Sequence, residues 1–130
     1  MSKNHISFIL HKPQLSENIG ACARAIKNFS FKKLILINPK PIFPNDKILA
    51  TSVGAKDIIT QSKRYDTLEQ ALGKIDIVIA TSARFRNKNI KHIDLKDLEK
   101  IDFKKKIGFL FGSEASGLSN EEISYANYTL

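Results

Sequence analysis

Two stretches of this chain carry residue types at spacings that could do chemistry. The first is Asn18-Ile19-Gly20-Ala21-Cys22-Ala23-Arg24-Ala25. Ile19, Cys22, Ala23, Ile26 and Phe29 recur at helical spacing, which predicts a helix over 16–29 that Ser16 could cap. Against that apolar stripe, Gly20, Arg24 and Asn28 project to the opposite side, with Ala21 and Ala25 flanking them. A solvated face ordinarily carries longer polar residues, so the small ones point to a second close contact, from another chain or a ligand. Arg24 would then be a cation held in a tight surround; an ordinary surface arginine satisfies the same periodicity.

The second stretch is Phe109-Leu110-Phe111-Gly112-Ser113-Glu114-Ala115-Ser116-Gly117-Leu118-Ser119. An apolar strand feeding two glycines five apart, with small residues between, brings main-chain amides and carbonyls into the open. Such a loop can bind a small molecule through its backbone, or it can be a plain strand-to-helix connection. It is not a nucleoside-triphosphate loop. That chemistry needs Lys and then Ser or Thr after the second glycine, whereas Leu118 and Ser119 follow here, and Glu114 would place a carboxylate in the anion nest. No dinucleotide glycine fingerprint is present either.

Other chemistries fall away on spacing. His5, His11 and His92 lie in separate segments with no clustered cysteines or paired carboxylates, so no metal is expected. The one cysteine, Cys22, lies on the apolar stripe and has no base near it in sequence, which makes it a small core residue. Asn127-Tyr128-Thr129 matches a glycosylation sequon, but nothing targets the chain for secretion.

The elements that must position these residues alternate along the chain. Strands are predicted at His5–Leu10, Leu34–Ile37, Asp76–Ala80 and Ile107–Phe111, all apolar on both faces. Helices are predicted at Asp46–Val53, with Gly54 ending it, at Thr67–Leu72 before Gly73, at Leu95–Lys100, and from Ser119, whose spacing to Glu122 is that of a capping box. Lys40–Asn45, with Pro41 and Pro44, is a loop. Doubly apolar strands alternating with helices give an α/β fold, a parallel sheet covered by helices on both faces. Ligands on such sheets sit beyond the carboxyl ends of the strands. Those loops are Lys12–Ser16, Asn38–Asn45, Thr81–Asn89 and Gly112–Leu118.

Composition sets the outer bounds. At 130 residues the chain suits one domain. With 21 Lys and Arg against 13 Asp and Glu, its net charge of +8 favours an anionic partner, above all nucleic acid. The charge is uneven. Nine basic residues lie between Arg84 and Lys106 against four acids, and the last twenty residues hold three acids and no base. The apolar runs are too short to span a bilayer and no signal peptide opens the chain, so a cytoplasmic domain with no membrane partner is expected.

Together the Asn18–Arg24 and Phe111–Ser119 segments resemble the first two motifs of the SpoU/TrmH branch of the SPOUT RNA 2′-O-methyltransferases. Thr81-Ser82-Ala83-Arg84 and Asn38-Pro39 resemble the members that methylate a ribose in the tRNA anticodon loop. The resemblance runs in order over essentially the whole chain. It implies an α/β-knot fold, a homodimer built through the first helix, S-adenosyl-L-methionine as cofactor, and tRNA (or rRNA) as partner, with nucleotide 32 of tRNA as target. By the same resemblance Arg24 is catalytic with Asn18 beside it. Thr81, Ser82, Ala83, Gly112, Glu114, Gly117 and Leu118 line the cofactor site. Arg84, Arg86 and Lys88 receive the RNA backbone.

Two departures accompany it. Many relatives carry Arg where Ser113 stands. The family's third motif would follow a strand beginning at Tyr128-Thr129-Leu130, where this sequence stops. The expectation is therefore a methyltransferase domain over 1–130 with an incomplete knot, weak cofactor binding and no turnover on its own. The alternative is a non-catalytic RNA-binding remnant of the same fold.

Overall fold

A computed structural model of the chain describes residues 3–81 and 90–130. Apolar runs of four to six residues, rich in Ile and Leu, become the four central strands because both of their faces are covered, and three shorter strands of two or three residues extend the sheet at its edges. These are β1 (Ile6–His11), β2 (Lys33–Ile37), β3 (Lys63–Tyr65), β4 (Ile77–Ala80), β5 (Lys91–His92), β6 (Ile107–Phe111) and β7 (Tyr128–Thr129). They form one sheet in the order β3-β2-β1-β6-β4-β7-β5, and every pairing is parallel. Ile9 of β1 stands level with Ile35 of β2 and Leu110 of β6, and Ile79 of β4 with Phe109. The two long motif-bearing segments are thus fixed side by side: β1 leads into the first and β6 into the second.

Side chains alternate across this sheet. On one face Leu34, Leu36, Ile19, Ala23, Ile26 and Ile48 are buried beneath α1 (Ser16–Asn28), α2 (Asp46–Thr51) and α3 (Lys56–Thr60). Ile6, Ile79 and Ile107 continue that face toward Leu98 of a 3₁₀ helix at Leu95–Lys100 and Ile101 just after it. On the other face Ile9, Ile37, Val78, Ala80 and Leu110 pack with Leu68 and Ala71 of α4 (Leu68–Leu72) and with Ala126, just beyond α5 (Asn120–Ile123). Each fully buried Ile or Leu contributes about 1.5–3 kcal/mol, so the two layers hold the loops at the carboxyl ends of the strands in place.

Several expectations are corrected. Ser16 does not cap α1; Leu15 is the cap residue and makes no side-chain capping bond. The Ser16 hydroxyl instead accepts from Asn45 Nδ2 at 3.0 Å, while Asn45 Oδ1 caps α2 by accepting from Ile48 N at 2.8 Å. That helix ends at Thr51, two residues early, and Gly54 follows in the left-handed region at φ +80°. Gly73 closes α4 at φ −59°, without the left-handed conformation of a glycine stop. The elements α3, β3 and β5 lack a sequence signal, being five residues long or fewer. The capping box at the start of α5 is present in both directions.

Gly20 is the most consequential correction. It is buried against α2, and a Cβ there would lie 2.0 Å from Thr51 Oγ1. Its small size serves the crossing of α1 and α2 inside one chain, and it does not share a free face with Arg24. No helix among the described residues is long and apolar enough to cross a membrane.

Candidate active site

The first turn of α1 exposes amide hydrogens that no residue within the helix satisfies. Glu114, one hundred residues downstream of Gln14, binds the two amides that lead into this turn, those of Gln14 and of the cap residue Leu15. Its carboxylate accepts from Leu15 N at 2.9 Å and from Gln14 N at 3.1 and 3.2 Å to its two oxygens. Asn18 Nδ2 donates to the same carboxylate at 3.1 Å. A negative charge at a helix N-terminus also meets the positive end of the helix dipole. Burial works against ionisation of Glu114, yet the bonds from Gln14, Leu15 and Asn18 outweigh it and hold its pKa below the usual carboxylate range. A carboxylate only accepts, so Nδ2 must face it and Asn18 Oδ1 is left available.

Glu114 reaches that position because its loop turns tightly. Gly117 N donates to Ser113 O at 2.9 Å, closing the turn, and Gly117 sits at φ +65°, where other residues are strained. At Gly112 a Cβ would lie 2.2 Å from Gly117 C, so no side chain fits. Ser113 and Ser116 hydroxyls bond each other at 2.8 Å and brace the turn from within. Residues 114–117 are exposed, while Leu118 packs half-buried against the Ile9–Ala80–Leu110 layer.

Thr81 ends β4 beside this loop. Its amide and hydroxyl both donate to Leu110 O, at 2.9 and 3.2 Å, which ties the neighbouring carboxyl ends of β4 and β6 together. The expected Ser82, Ala83, Arg84, Arg86 and Lys88 lie outside the described residues. Asn18, Thr81, Gly112, Glu114, Gly117 and Leu118 are thus gathered at one end of the sheet.

Arg24 is not part of this gathering. Six residues beyond Asn18, it lies about 120° around the helix and about 9 Å along it. It lines a shallow hollow with Ala21, Ala25, Asn28 and the Val53–Ala55 turn, and among the described residues its guanidinium has no hydrogen bond or ion pair. Ala21, Arg24, Ala25 and Asn28 are all exposed, so the small-residue face predicted around Arg24 exists without Gly20. Cys22 is largely buried, which pushes its thiol pKa up to about 11 and leaves it protonated at neutral pH.

A cleft of about 570 Å³ opens on the other side of the glycine loop, between Ser116–Gly117, α4 and α5. Of the expected cofactor residues among those described, only Gly117 lines it. Its floor holds a pair that spacing did not reveal: His11 Nδ1 lies 2.9 Å from Glu122 Oε2. Glu122 Oε1 meanwhile accepts from Ser119 N at 2.7 Å, so one carboxylate both completes the capping box of α5 and fastens it to the end of β1. Burial lowers the His11 pKa, Glu122 opposes that and Lys12 adds to it. The capping-box spacing pointed to Glu122, but its second partner 111 positions upstream leaves no local pattern. No group of three or more His, Cys, Asp or Glu among the described residues could hold a metal ion.

A parallel sheet with two motif loops joined through Asn18 and Glu114 defines a class, and the sequence pattern of the SpoU rRNA methylase family matches residues 5–130. The chain belongs to that family. The tRNA (cytidine-2′-O-)-methyltransferase TrmJ of Methanocaldococcus jannaschii is 40% identical over 123 residues, covering 91% of this chain and 53% of that protein. The tRNA (cytidine/uridine/adenosine-2′-O-)-methyltransferase TrmJ of Pseudomonas aeruginosa is 35% identical over 116 residues, covering 85% of this chain and 45% of that protein. The crystal structure of TrmJ from Z. mobilis ZM4 superposes with a TM-score of 0.87 at 29% identity, covering 95% of this chain and 56% of that one. The chain spans about half the length of the curated relatives it matches.

Proposed function

We propose that the protein transfers a methyl group from S-adenosyl-L-methionine to a ribose 2′-hydroxyl of tRNA, in the anticodon loop and at nucleotide 32. The observation that carries this is the Glu114 carboxylate, which locks Asn18 to the glycine loop and so leaves Asn18 Oδ1 free to accept a hydroxyl proton. The names of the tRNA methyltransferases that resemble the chain support the substrate class.

The loop suits the cofactor. Gly112 has no room for a side chain and residues 114–117 are exposed, with Leu118 as an apolar neighbour. Gly112, Gly117 and Leu118, with Thr81 from the adjacent strand and with Glu114 shaping the loop, are the described residues that would hold it; Ser82 and Ala83 complete that set. When bound it supplies a methyl group on a sulfonium centre. Asn18 Oδ1 orients the 2′-hydroxyl so that an oxygen lone pair faces the incoming carbon as the hydroxyl proton leaves to solvent. This is catalysis by positioning and electrostatics. Glu114 is a positioning residue: its low pKa and its filled acceptor sites suit it to holding Asn18 and not to taking a proton. Arg24, on a different side of α1, serves a ribose and its phosphate held between two copies of the protein, seated on the Ala21–Arg24–Ala25–Asn28 face. Arg84, Arg86 and Lys88 receive the RNA backbone.

The test is methyl transfer to tRNA transcripts by the protein expressed from its native gene, with the modified nucleotide mapped. A 2′-O-methylated ribose in the anticodon loop, lost about 100-fold in kcat for Asn18→Ala with donor affinity unchanged, is the expected result. Tight tRNA binding with no methyl transfer at any donor concentration would instead identify a non-catalytic RNA-binding relative.

A further inference from the structure

The end of the sheet opposite the glycine loop holds a second cavity, of about 310 Å³. Its wall comes from the amino ends of the strands: Asn4, His5 and Ser7 before and in β1, Lys32 and Lys33 at β2, Lys63 at β3, Lys74 before β4 and Lys106 before β6. Leu34, Ile35, Ala71, Ile75 and Tyr65 give it an apolar floor. Five lysines from four separate segments therefore face one hollow, and no acidic side chain lines it. Asp76, the acid next to it in sequence, accepts from the Lys106 main-chain amide at 2.9 Å and forms no ion pair with these lysines. Among the described residues none of the five ammonium groups has a salt-bridge partner.

A second, independent observation marks the same wall. Among the described residues the His5 Nδ1 atom, on a half-buried ring, is shielded from solvent and has no hydrogen-bond partner. A buried polar nitrogen left unsatisfied costs about 1–3 kcal/mol, and natural structures rarely keep one without a use. Five like charges converging on a cavity also repel one another unless an anion occupies it.

We propose that this cavity binds the phosphate groups of nucleotides, with Lys32, Lys33, Lys63, Lys74 and Lys106 neutralising the anion and His5 closing its back wall. A lysine is a strongly hydrated point charge with rotatable donors, which suits phosphate oxygens approached from several directions. The apolar floor beside Tyr65 fits a sugar or base attached to the phosphate. Because β6 separates this cavity from the glycine loop by roughly 17 Å of strand, it is a site distinct from the methyl-transfer centre and holds whatever the chemistry at that centre is. The phosphates come either from the backbone of an RNA, far from its methylated ribose, or from a free nucleotide.

The experiment compares Lys63→Ala/Lys106→Ala with Lys56→Ala/Lys96→Ala, a pair outside the cavity with the same change in net charge. Each protein, checked for an unchanged melting temperature, is titrated with structured RNA at several salt concentrations, with AMP and with inorganic phosphate. Loss of RNA affinity by at least tenfold in the cavity pair alone, with the slope of log affinity against log salt reduced by about 1–2, supports the site and assigns it to RNA. Unchanged RNA affinity with AMP or phosphate binding lost only in the cavity pair supports it and assigns it to a free nucleotide. Equal behaviour of the two pairs toward all three probes overturns it. As a further readout, His5 ring-nitrogen resonances should shift on saturation with phosphate in the unmodified protein, and their constancy would also count against the site.

Discussion

Asn18 Nδ2 donates to Glu114 Oε2 across 96 residues of sequence, and this bond joins the start of α1 to the loop after β6. Both segments follow strands that are hydrogen-bonded neighbours, so the pairing of β1 with β6 brings the two motifs together before any side chain is considered. Glu114 then does two things. It holds the Gln14 and Leu15 amides at the entry to α1, and it fixes which end of the Asn18 amide faces outward.

Replacing Glu114 by Gln removes the charge and one acceptor oxygen. The entry to α1 should lose about 1 kcal/mol from the weakened bonds to Gln14 and Leu15, and methyl transfer should fall more than stability does, because the Asn18 amide is no longer oriented. The pH dependence has a definite sign. The native pKa of Glu114 is lowered, so its contribution is present above the unfolded carboxylate pKa and is lost as pH falls through the lower native value. Melting curves at descending pH below about 5 should show this slope in the native protein and a weaker one in Glu114→Gln.

Gly20→Ala places a methyl group 2.0 Å from Thr51 Oγ1 and 2.9 Å from the Thr51 carbonyl carbon. Backbone cannot yield as a side chain can, so α1 and α2 must separate, at a cost of about 1–3 kcal/mol. Thr51→Ala in the same protein should recover only part of the loss, since the main-chain contact remains. Full recovery in thermal melts would show that the hydroxyl alone sets the limit.

His11 is buried beside Glu122, and its pKa is lowered chiefly by burial, with Glu122 pulling the other way and Lys12 adding to the decrease. Between the native pKa and the unfolded value near 6.5 the unfolded chain binds more protons. Stability should therefore be complete above about pH 6.5 and decline as pH falls toward the native pKa. His11→Gln should flatten this part of the profile. An unchanged slope would place the titration elsewhere.

Arg24→Lys keeps the charge and loses the planar fork. The side chain is exposed and unpaired among the described residues, so melting temperature and donor binding should be unaffected. Methyl transfer should fall by about 100-fold or more if the guanidinium holds ribose and phosphate. Unchanged turnover would remove Arg24 from the mechanism.

The four principal strands, α1 and the parallel α/β class were legible in the sequence because each rests on local periodicity. A run such as Leu34-Ile35-Leu36-Ile37 is apolar whichever face it turns, and that alone implies cover on both sides. The capping box of Ser119 and Glu122 was legible for the same reason, since its two partners are three residues apart.

What the sequence could not decide depends on which distant segments become neighbours. Ser16 is a good capping residue by type, yet it lies inside α1 and bonds Asn45, while β6 delivers the Glu114 carboxylate to the amides just before the helix. Gly20 falls on the side opposite the apolar stripe by periodicity, yet α2 occupies that side and buries it. Asn18 and Arg24 belong to one motif, yet the helical turn sends them to different surfaces. Lysines scattered from 32 to 106 make no charge run, yet the sheet collects their strand ends around one cavity. Local patterns fix elements because they involve a few bonds along one chain segment. Caps, crossings and charge clusters are set by strand order, and strand order is a property of the whole sheet.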